Sequence, residues 1–141
     1  MRYYPSLYKH MWFYHNNNIT RIGISNHLKN ILNLVENNPK KKLELETTIL
    51  DISTKVKTMD IVASIAVKTS KKKYLFYTPH TASIINVNQS IIDCPKLLLT
   101  NNERENWIVD IKRTYNNNPS YINCSNDMGY KFDYEYYIAY N

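Results

Sequence analysis

The sequence has little of several residues on which common functional sites depend. Its 141 residues include only two glycines, Gly23 and Gly129, and both are isolated, so a glycine-rich loop around a phosphate is excluded. The two cysteines, Cys94 and Cys124, lie 30 positions apart, which argues against a disulfide scaffold and a zinc ribbon. Apolar runs reach only four or five residues, too few for a membrane-spanning helix. Nucleotide-loop enzymes and membrane-spanning helices are therefore excluded.

Acidic residues are scarce at the start of the chain, where none precedes Glu36. The whole chain has 18 Lys and Arg against 12 Asp and Glu, a formal charge of +6. It also has 19 Asn, 14 Lys and 13 Tyr, residues of A+T-rich codons, so part of this composition reflects a genome rather than a function. The positive excess favours a polyanionic partner. The basic, aromatic residues 1–29 are interpreted as an arm retained on a partner or as an organellar targeting segment.

Apolar spacing predicts the elements of the first half. Residues 30–35 form a short apolar run suited to a buried strand, with a helix beginning near Ser25 as the competing interpretation. The Asn38-Pro39 pair is a typical helix start. From Lys40 onward, apolar residues spaced 4, 3, 4 and 3 apart predict one helix of about twenty residues. These are Leu45, Ile49, Ile52, Val56 and Met59.

The second half is predicted to contain strands and one further helix. Residues 61–69 are rich in β-branched side chains and predict a strand, followed by a basic turn at 70–73 and a second strand at 74–77. Residues 81–89 are predicted to form a loop, and residues 91–99 an edge or broken strand around a proline.

A capping-box spacing and a Tyr-rich tail complete the predicted order. Thr100 and Glu103 have the capping-box spacing and predict a helix with Trp107, Ile108 and Ile111 on one face. The tail reads as one or two final strands. This order predicts an α+β fold, with two helices on one face of a mainly antiparallel sheet.

No catalytic or metal-binding constellation is present. His80 ends a predicted strand, and the other three histidines lie within residues 1–29. Neighbouring carboxylates on the predicted helices are two residues apart and so do not share a face, and no Gly-x-Ser-x-Gly elbow occurs. We therefore predict no enzyme, no catalytic residue, no cofactor and no metal. The lysine triplet at 71–73 is predicted to contact phosphates, because lysines supply affinity for them that does not depend on sequence.

Residues 30–124 resemble the small-subunit ribosomal protein S-ten family. The basic turn, the strand at 74–77 and Thr78-Pro79-His80 are similar to the family's basic turn, strand and Ser-Pro-His. The interval from His80 to the basic pair at 112–113 is also similar. The resemblance implies a ferredoxin-like βαββαβ sandwich at 30–124, with extensions at 1–29 and 125–141. It implies rRNA contacts by Lys71, Lys72, Lys73, His80, Lys112 and Arg113.

The same resemblance implies a structural role in a mitochondrial small ribosomal subunit, with ribosomal RNA and neighbouring ribosomal proteins as partners. No membrane and no small-molecule substrate are expected. Residues 81–88 carry no charge, unlike the family's basic loop, which suggests contact with protein there. A second resemblance, of residues 79–88 to the thiamine-phosphate-synthase-like YjbQ family, implies a small enzyme or an inactive relative. A lineage-specific subunit of another organellar complex is a further alternative.

Overall fold

The computed structural model describes residues 10–38, 40 and 43–114. This part of the chain contains two α-helices, α1 (Asn26–Glu36) and α2 (Gln89–Asp93), and two 3₁₀ helices (Pro95–Leu99 and Glu103–Glu105). None of these helices is long and apolar enough to cross a membrane. The strands are β1 (Met11–Asn16), β2 (Ile19–Ile24), β3 (Leu45–Ile49), β4 (Lys55–Val56), β5 (Ile61–Val67), β6 (Lys72–Tyr77), β7 (Ala82–Val87) and β8 (Trp107–Arg113).

The described strands form two antiparallel sheets. One has five strands in the order β1-β2-β8-β7-β4, and the other has three in the order β3-β5-β6. The general class, α+β with a mainly antiparallel sheet and two helices, is confirmed. The ferredoxin-like arrangement is not what these sheets form, because it requires one sheet with two helices on one face. The apolar residues instead close the two sheets and α1 around a single core.

The first described strands belong to the five-stranded sheet. Asn17 takes a φ of 57° in the turn between β1 and β2, a left-handed conformation that asparagine tolerates. Gly23 in β2 lies against the buried ring of Trp12, where a Cβ would approach the ring to 2.1 Å.

The division into segments 1–29, 30–124 and 125–141 stays a prediction. Residues 1–9 and 115–141, with the predicted tail strands, lie outside the described residues.

Helix α1 begins where the competing interpretation put it. The Ser25 side chain caps it by accepting a hydrogen bond from the Leu28 backbone N–H at 3.3 Å. Leu28 and Leu32, one turn apart, are fully buried. The strand prediction for residues 30–35 is therefore wrong, because the apolar run continues a helical stripe that begins before it.

The predicted helix from Lys40 to Met59 is wrong. Strands β3 and β4 occupy this stretch, and β3 pairs along its whole length with β5. Ile52 and Met59, which completed the helical stripe, are 55% and 38% exposed in connecting segments. The β-branched residues of this stretch, among them Thr47 and Thr48 of β3, suit a paired strand.

The hairpin of β5 and β6 confirms both strands predicted there, although β6 begins earlier, at Lys72. The predicted loop at 81–89 is instead strand β7, which pairs with β8. The stretch at 91–99 is helical rather than extended, in α2 and the first 3₁₀ helix.

The second predicted helix is also wrong, since strand β8 runs through it. β8 lies between β2 and β7 in the sheet, and its residues 108–111 are all buried. An apolar run of this kind can be mistaken for the apolar face of a helix. The capping box exists two residues later than predicted. Asn102 and Glu105 exchange side-chain-to-backbone hydrogen bonds of 3.0 Å, at a short 3₁₀ helix.

Candidate functional site

The hairpin of β5 and β6 presents a basic loop. Val67 pairs with Lys72, which leaves residues 68–71 as a four-residue connection. The Ser70 N–H donates to the Val67 carbonyl at 3.3 Å, and Lys71 follows with a left-handed φ of 57°. All residues from 68 to 73 are exposed. We call residues 68–73 the hairpin tip.

The hairpin tip carries four positive charges and little neutralisation. Lys68 Nζ lies 4.0 Å from Glu46 Oε2, and both side chains are more than half exposed, so this pair is weak. The Lys68 backbone N–H also donates to the Glu44 carbonyl at 2.9 Å, which ties the loop to the segment before β3. Among the described residues, no hydrogen bond or ion pair is seen for the side chains of residues 71–73. The tip therefore presents concentrated positive charge to solvent.

A cleft of about 230 Å³ adjoins the hairpin tip. Helix α1 lines it with three apolar side chains, and the hairpin lines it with Val67, Tyr74 and the residues on either side of Lys71. The α1 residues are Ile31, Leu32 and Val35. A group attached at the tip thus has an apolar surface within the same neighbourhood. The sequence did not predict this cleft, because residues 30–35 were expected to form a strand.

His80 lies in the core rather than on a loop surface. It is 1% exposed, and its Nε2 atom lies 2.8 Å from Thr20 Oγ1. His15 Nδ1 lies 2.7 Å from the same hydroxyl, and the two imidazole rings are 6.1 Å apart. We call His15, Thr20 and His80 the histidine cluster. It joins β1 and β2 to the connection between β6 and β7.

The histidine cluster is neutral at pH 7. The pKa of His80 is lowered to about 4, chiefly by burial; a hydrogen bond with the Thr81 backbone opposes this shift, and the positive charge of Arg113 adds to it. Burial also lowers the pKa of His15 to about 3, with His80 and Arg113 acting in the same direction. These imidazoles therefore hydrogen-bond within the protein, and the burial of His80 keeps it from an external phosphate.

Lys112 and Arg113 lie on the other sheet, at the end of β8. Lys112 is exposed, and Arg113 Nη2 lies 3.5 Å from the Asn18 side-chain oxygen. The sequence had grouped both with the lysine triplet because it treated this stretch as the end of a helix. The structure assigns the lysine triplet to the three-stranded sheet and this pair to the five-stranded one.

A larger cleft, of about 570 Å³, lies beside Arg21. Arg21 donates to both carboxylate oxygens of Asp110 at 2.8 and 3.0 Å, and its guanidinium lies 4.2 Å from the centre of the Trp107 ring. Asp110 raises the pKa of Arg21 through this bidentate pair. The charge of Arg21 is thus already neutralised. Within the described residues, no cluster of three or more His, Cys, Asp or Glu could hold a metal ion.

Comparison with known proteins decides the family. A model of the family described as "Glycine cleavage H-protein" matches residues 2–128, which include both sheets, α1 and the hairpin tip. The chain belongs to the glycine cleavage H-protein family. The crystal structure of a glycine cleavage system H protein from Mycobacterium marinum has a similar fold, with a TM-score of 0.58 and 15% sequence identity. The alignment covers 85% of this chain and 93% of that one. No curated protein sequence matches the chain.

Membership of the H-protein family overturns the ribosomal interpretation. A structural role in a small ribosomal subunit, with rRNA and ribosomal proteins as partners, is wrong. The YjbQ-like and other organellar alternatives are not supported either. The resemblances rested on a basic turn, a strand and a Pro-His pair, and such short features occur in unrelated folds. The sheets of this chain have a different order from the one they implied.

Proposed function

We propose that this chain is the lipoyl carrier of a glycine cleavage system and that Lys71 holds the lipoyl group. The observation that carries the proposal is an exposed lysine in the tight turn of a β-hairpin, in a chain of the H-protein family. A lysine in such a turn extends away from a rigid sheet. Its side chain can therefore enter the active site of another protein without any change in the fold.

Lys71 is preferred over the neighbouring lysines because of its backbone. Lys72 and Lys73 belong to β6 and pair with Val67 and Ala66 across the hairpin. The backbone of Lys68 is held, because its N–H donates to the Glu44 carbonyl at 2.9 Å. Lys71 alone of the four occupies a left-handed turn position, with a φ of 57°. Lysine is an uncommon choice there, which suggests that its amine is required.

Attachment would form an amide. The unprotonated Nζ of Lys71 would attack the carbonyl carbon of an activated lipoyl carboxyl group, such as that of the acyl adenylate, which is a mixed anhydride. The C–N bond forms, the nucleoside phosphate leaves with the electron pair of the broken C–O bond, and the amine releases a proton. The lipoyl group supplies a disulfide that takes up electrons and a transferred group. The apolar cleft between α1 and the hairpin offers its hydrocarbon arm a contact surface.

The proposed role makes the chain a substrate of other enzymes rather than a catalyst. We propose the other proteins of the glycine cleavage system as its partners, because a carrier delivers its group to them. We also propose the mitochondrion as its location. Fractionation of cells that express the full chain with a C-terminal tag tests this location.

Mass spectrometry of the chain made in lipoate-fed cells tests the attachment. We expect one lipoyl group per chain, mapped to the peptide that contains Lys71. Lys71→Arg retains the charge but lacks the acylable amine, and we expect it to carry none. Lys72→Arg and Lys73→Arg are matched controls and should be modified as fully as the parent. Modification of the Lys71→Arg chain at another lysine, or an unmodified parent chain, would contradict the proposal.

A further inference from the structure

We infer that Lys68, Lys72 and Lys73 form a basic collar around Lys71 that docks into an acidic-rimmed pocket of the enzyme attaching the lipoyl group. This inference rests on the proposed function and goes beyond it. It identifies the chemistry of the partner's surface rather than the attachment itself. Two observations carry it: the lysines are concentrated around the tip, and among the described residues one weak ion pair is all that neutralises them.

The collar surrounds the tip on both sides. Lys72 and Lys73 are consecutive residues of β6, so their side chains extend to opposite faces of the hairpin. Lys72 lines the cleft towards α1, which fixes the face that it occupies. Lys68 stands across the loop, at the end of β5. A flat partner could meet only one face of this arrangement, whereas a pocket that receives the tip meets both.

The collar differs from three basic residues elsewhere in the described chain, each of which has a partner, and from the exposed Lys55 and Lys57 in its concentration of charge. Arg21 is paired with Asp110, Lys96 Nζ lies 3.4 Å from Glu36, and the ammonium of Lys29 donates to the Asn101 carbonyl at 2.7 Å. Within the part of the chain that the structure describes, the collar has one ion pair, in which Lys68 Nζ lies 4.0 Å from Glu46 Oε2. Concentrated like charges repel one another, so they favour an oppositely charged partner that relieves the repulsion.

Acidic groups around a pocket mouth fit this collar in both charge and shape. Such acidic groups would also distinguish the unmodified chain, which is the enzyme's substrate, from the lipoylated chain, which is its product. The unmodified tip has four positive charges, and amide formation at Lys71 removes one. The attaching enzyme would therefore bind the unmodified chain more tightly than the modified one, which favours release of the product.

The test measures lipoylation of the full chain by its cognate lipoate–protein ligase, with lipoate and ATP. We expect kcat/KM to fall about tenfold or more as ionic strength rises from about 0.02 to 0.3 M. The double variant Lys72→Glu/Lys73→Glu should lose at least as much at low salt and respond less to added salt. Lys55→Glu/Lys57→Glu makes the same change in net charge at two other exposed lysines and should remain near the parent. Lys72→Arg/Lys73→Arg should retain the parent rate.

A second readout separates this inference from the proposed function. Lys71→Arg has the full charge but no acylable amine, and we expect the ligase to bind it with a salt-dependent Kd. Lipoylation of Lys71 with salt-independent rates would overturn the collar and leave the carrier role intact. Equal losses in both glutamate variants would do the same, since net charge alone would then explain them. If no variant is lipoylated and the ligase does not bind Lys71→Arg, both proposals are wrong. Thermal melting checks that each variant is folded.

Discussion

The hairpin tip and the histidine cluster use polar side chains in opposite ways. The tip has four lysines in solvent with one weak ion pair, whereas the cluster buries two imidazoles around one hydroxyl, with contacts of 2.7 and 2.8 Å. A charged side chain at the tip affects the binding of a partner, whereas a charge in the buried cluster would destabilise the fold. We therefore propose that function depends on the hairpin tip and stability on the histidine cluster. Variants should separate them.

The largest effect on stability is expected beside the histidine cluster, at Gly23. A Cβ at this position would lie 2.1 and 2.2 Å from ring atoms of Trp12, which is buried and donates its N–H to the Ile24 carbonyl at 3.0 Å. Gly23→Ala should lower the free energy of unfolding by about 3 kcal/mol, because the ring cannot move without disturbing the sheet. Urea unfolding followed by tryptophan fluorescence measures this change.

A double variant tests the cause of this loss. Trp12→Phe removes the outer part of the indole, where the clash occurs. Gly23→Ala should therefore cost much less in a Trp12→Phe background than in the parent, as a double-mutant cycle would measure. Additive losses would mean that the glycine is needed for its backbone rather than for the space it leaves. Lipoylation of every variant that remains folded should be unchanged.

The β5–β6 hairpin shows what the sequence could predict. Its β-branched residues and the intervening lysines are local signals, and both strands were predicted from them. Strands β3 and β8 were not predicted, because their burial depends on pairing with β5, β2 and β7 from distant parts of the chain. The helical spacing at 45–59 was therefore coincidental, since Ile52 and Met59 do not join the core.

The candidate site was only partly predictable for a related reason. The lysine triplet at 71–73 was predicted to contact phosphates, but a basic turn does not specify its partner. Phosphate contact and lipoyl attachment both require an exposed lysine. The features on which we base the lipoyl proposal are the left-handed backbone of Lys71 and the apolar cleft beside α1, and both depend on three-dimensional structure. His80 looked available for contact because its burial arises from packing against β1 and β2.

An intermediate effect is expected from acid, and it should come from the cluster rather than from the tip. In the unfolded chain a histidine titrates near 6.5, whereas burial lowers the pKa of His80 to about 4 in the fold. The unfolded state therefore binds protons first as the pH falls. His80 alone should reduce stability by about 2 kcal/mol between pH 7 and pH 5, with His15 adding to the loss.

Denaturant unfolding at several pH values measures this slope. His80→Gln can still hydrogen-bond to Thr20 but does not titrate, so its stability should depend less steeply on pH between 6.5 and 4. Lys72→Gln serves as the control at the tip and should have the slope of the parent. A parent chain equally stable at pH 7 and pH 5 would show that the cluster does not resist protonation.

The smallest effect on stability is expected at the tip, where the direction of the change is what tests the proposal. Lys71 has a φ of 57°, which is unfavourable for a residue with a Cβ but free of steric cost for glycine. Lys71→Gly should therefore raise the free energy of unfolding by up to about 1 kcal/mol while abolishing lipoylation. Lys72→Gly, one residue later within β6, should instead lower it by about 0.5 to 1 kcal/mol, because glycine weakens a strand. If glycine is more stable than lysine at position 71, the lysine is not there for stability, and this supports a role for its amine. If Lys71→Gly proved less stable than the parent, the lysine would be structural and this reason for choosing it would disappear.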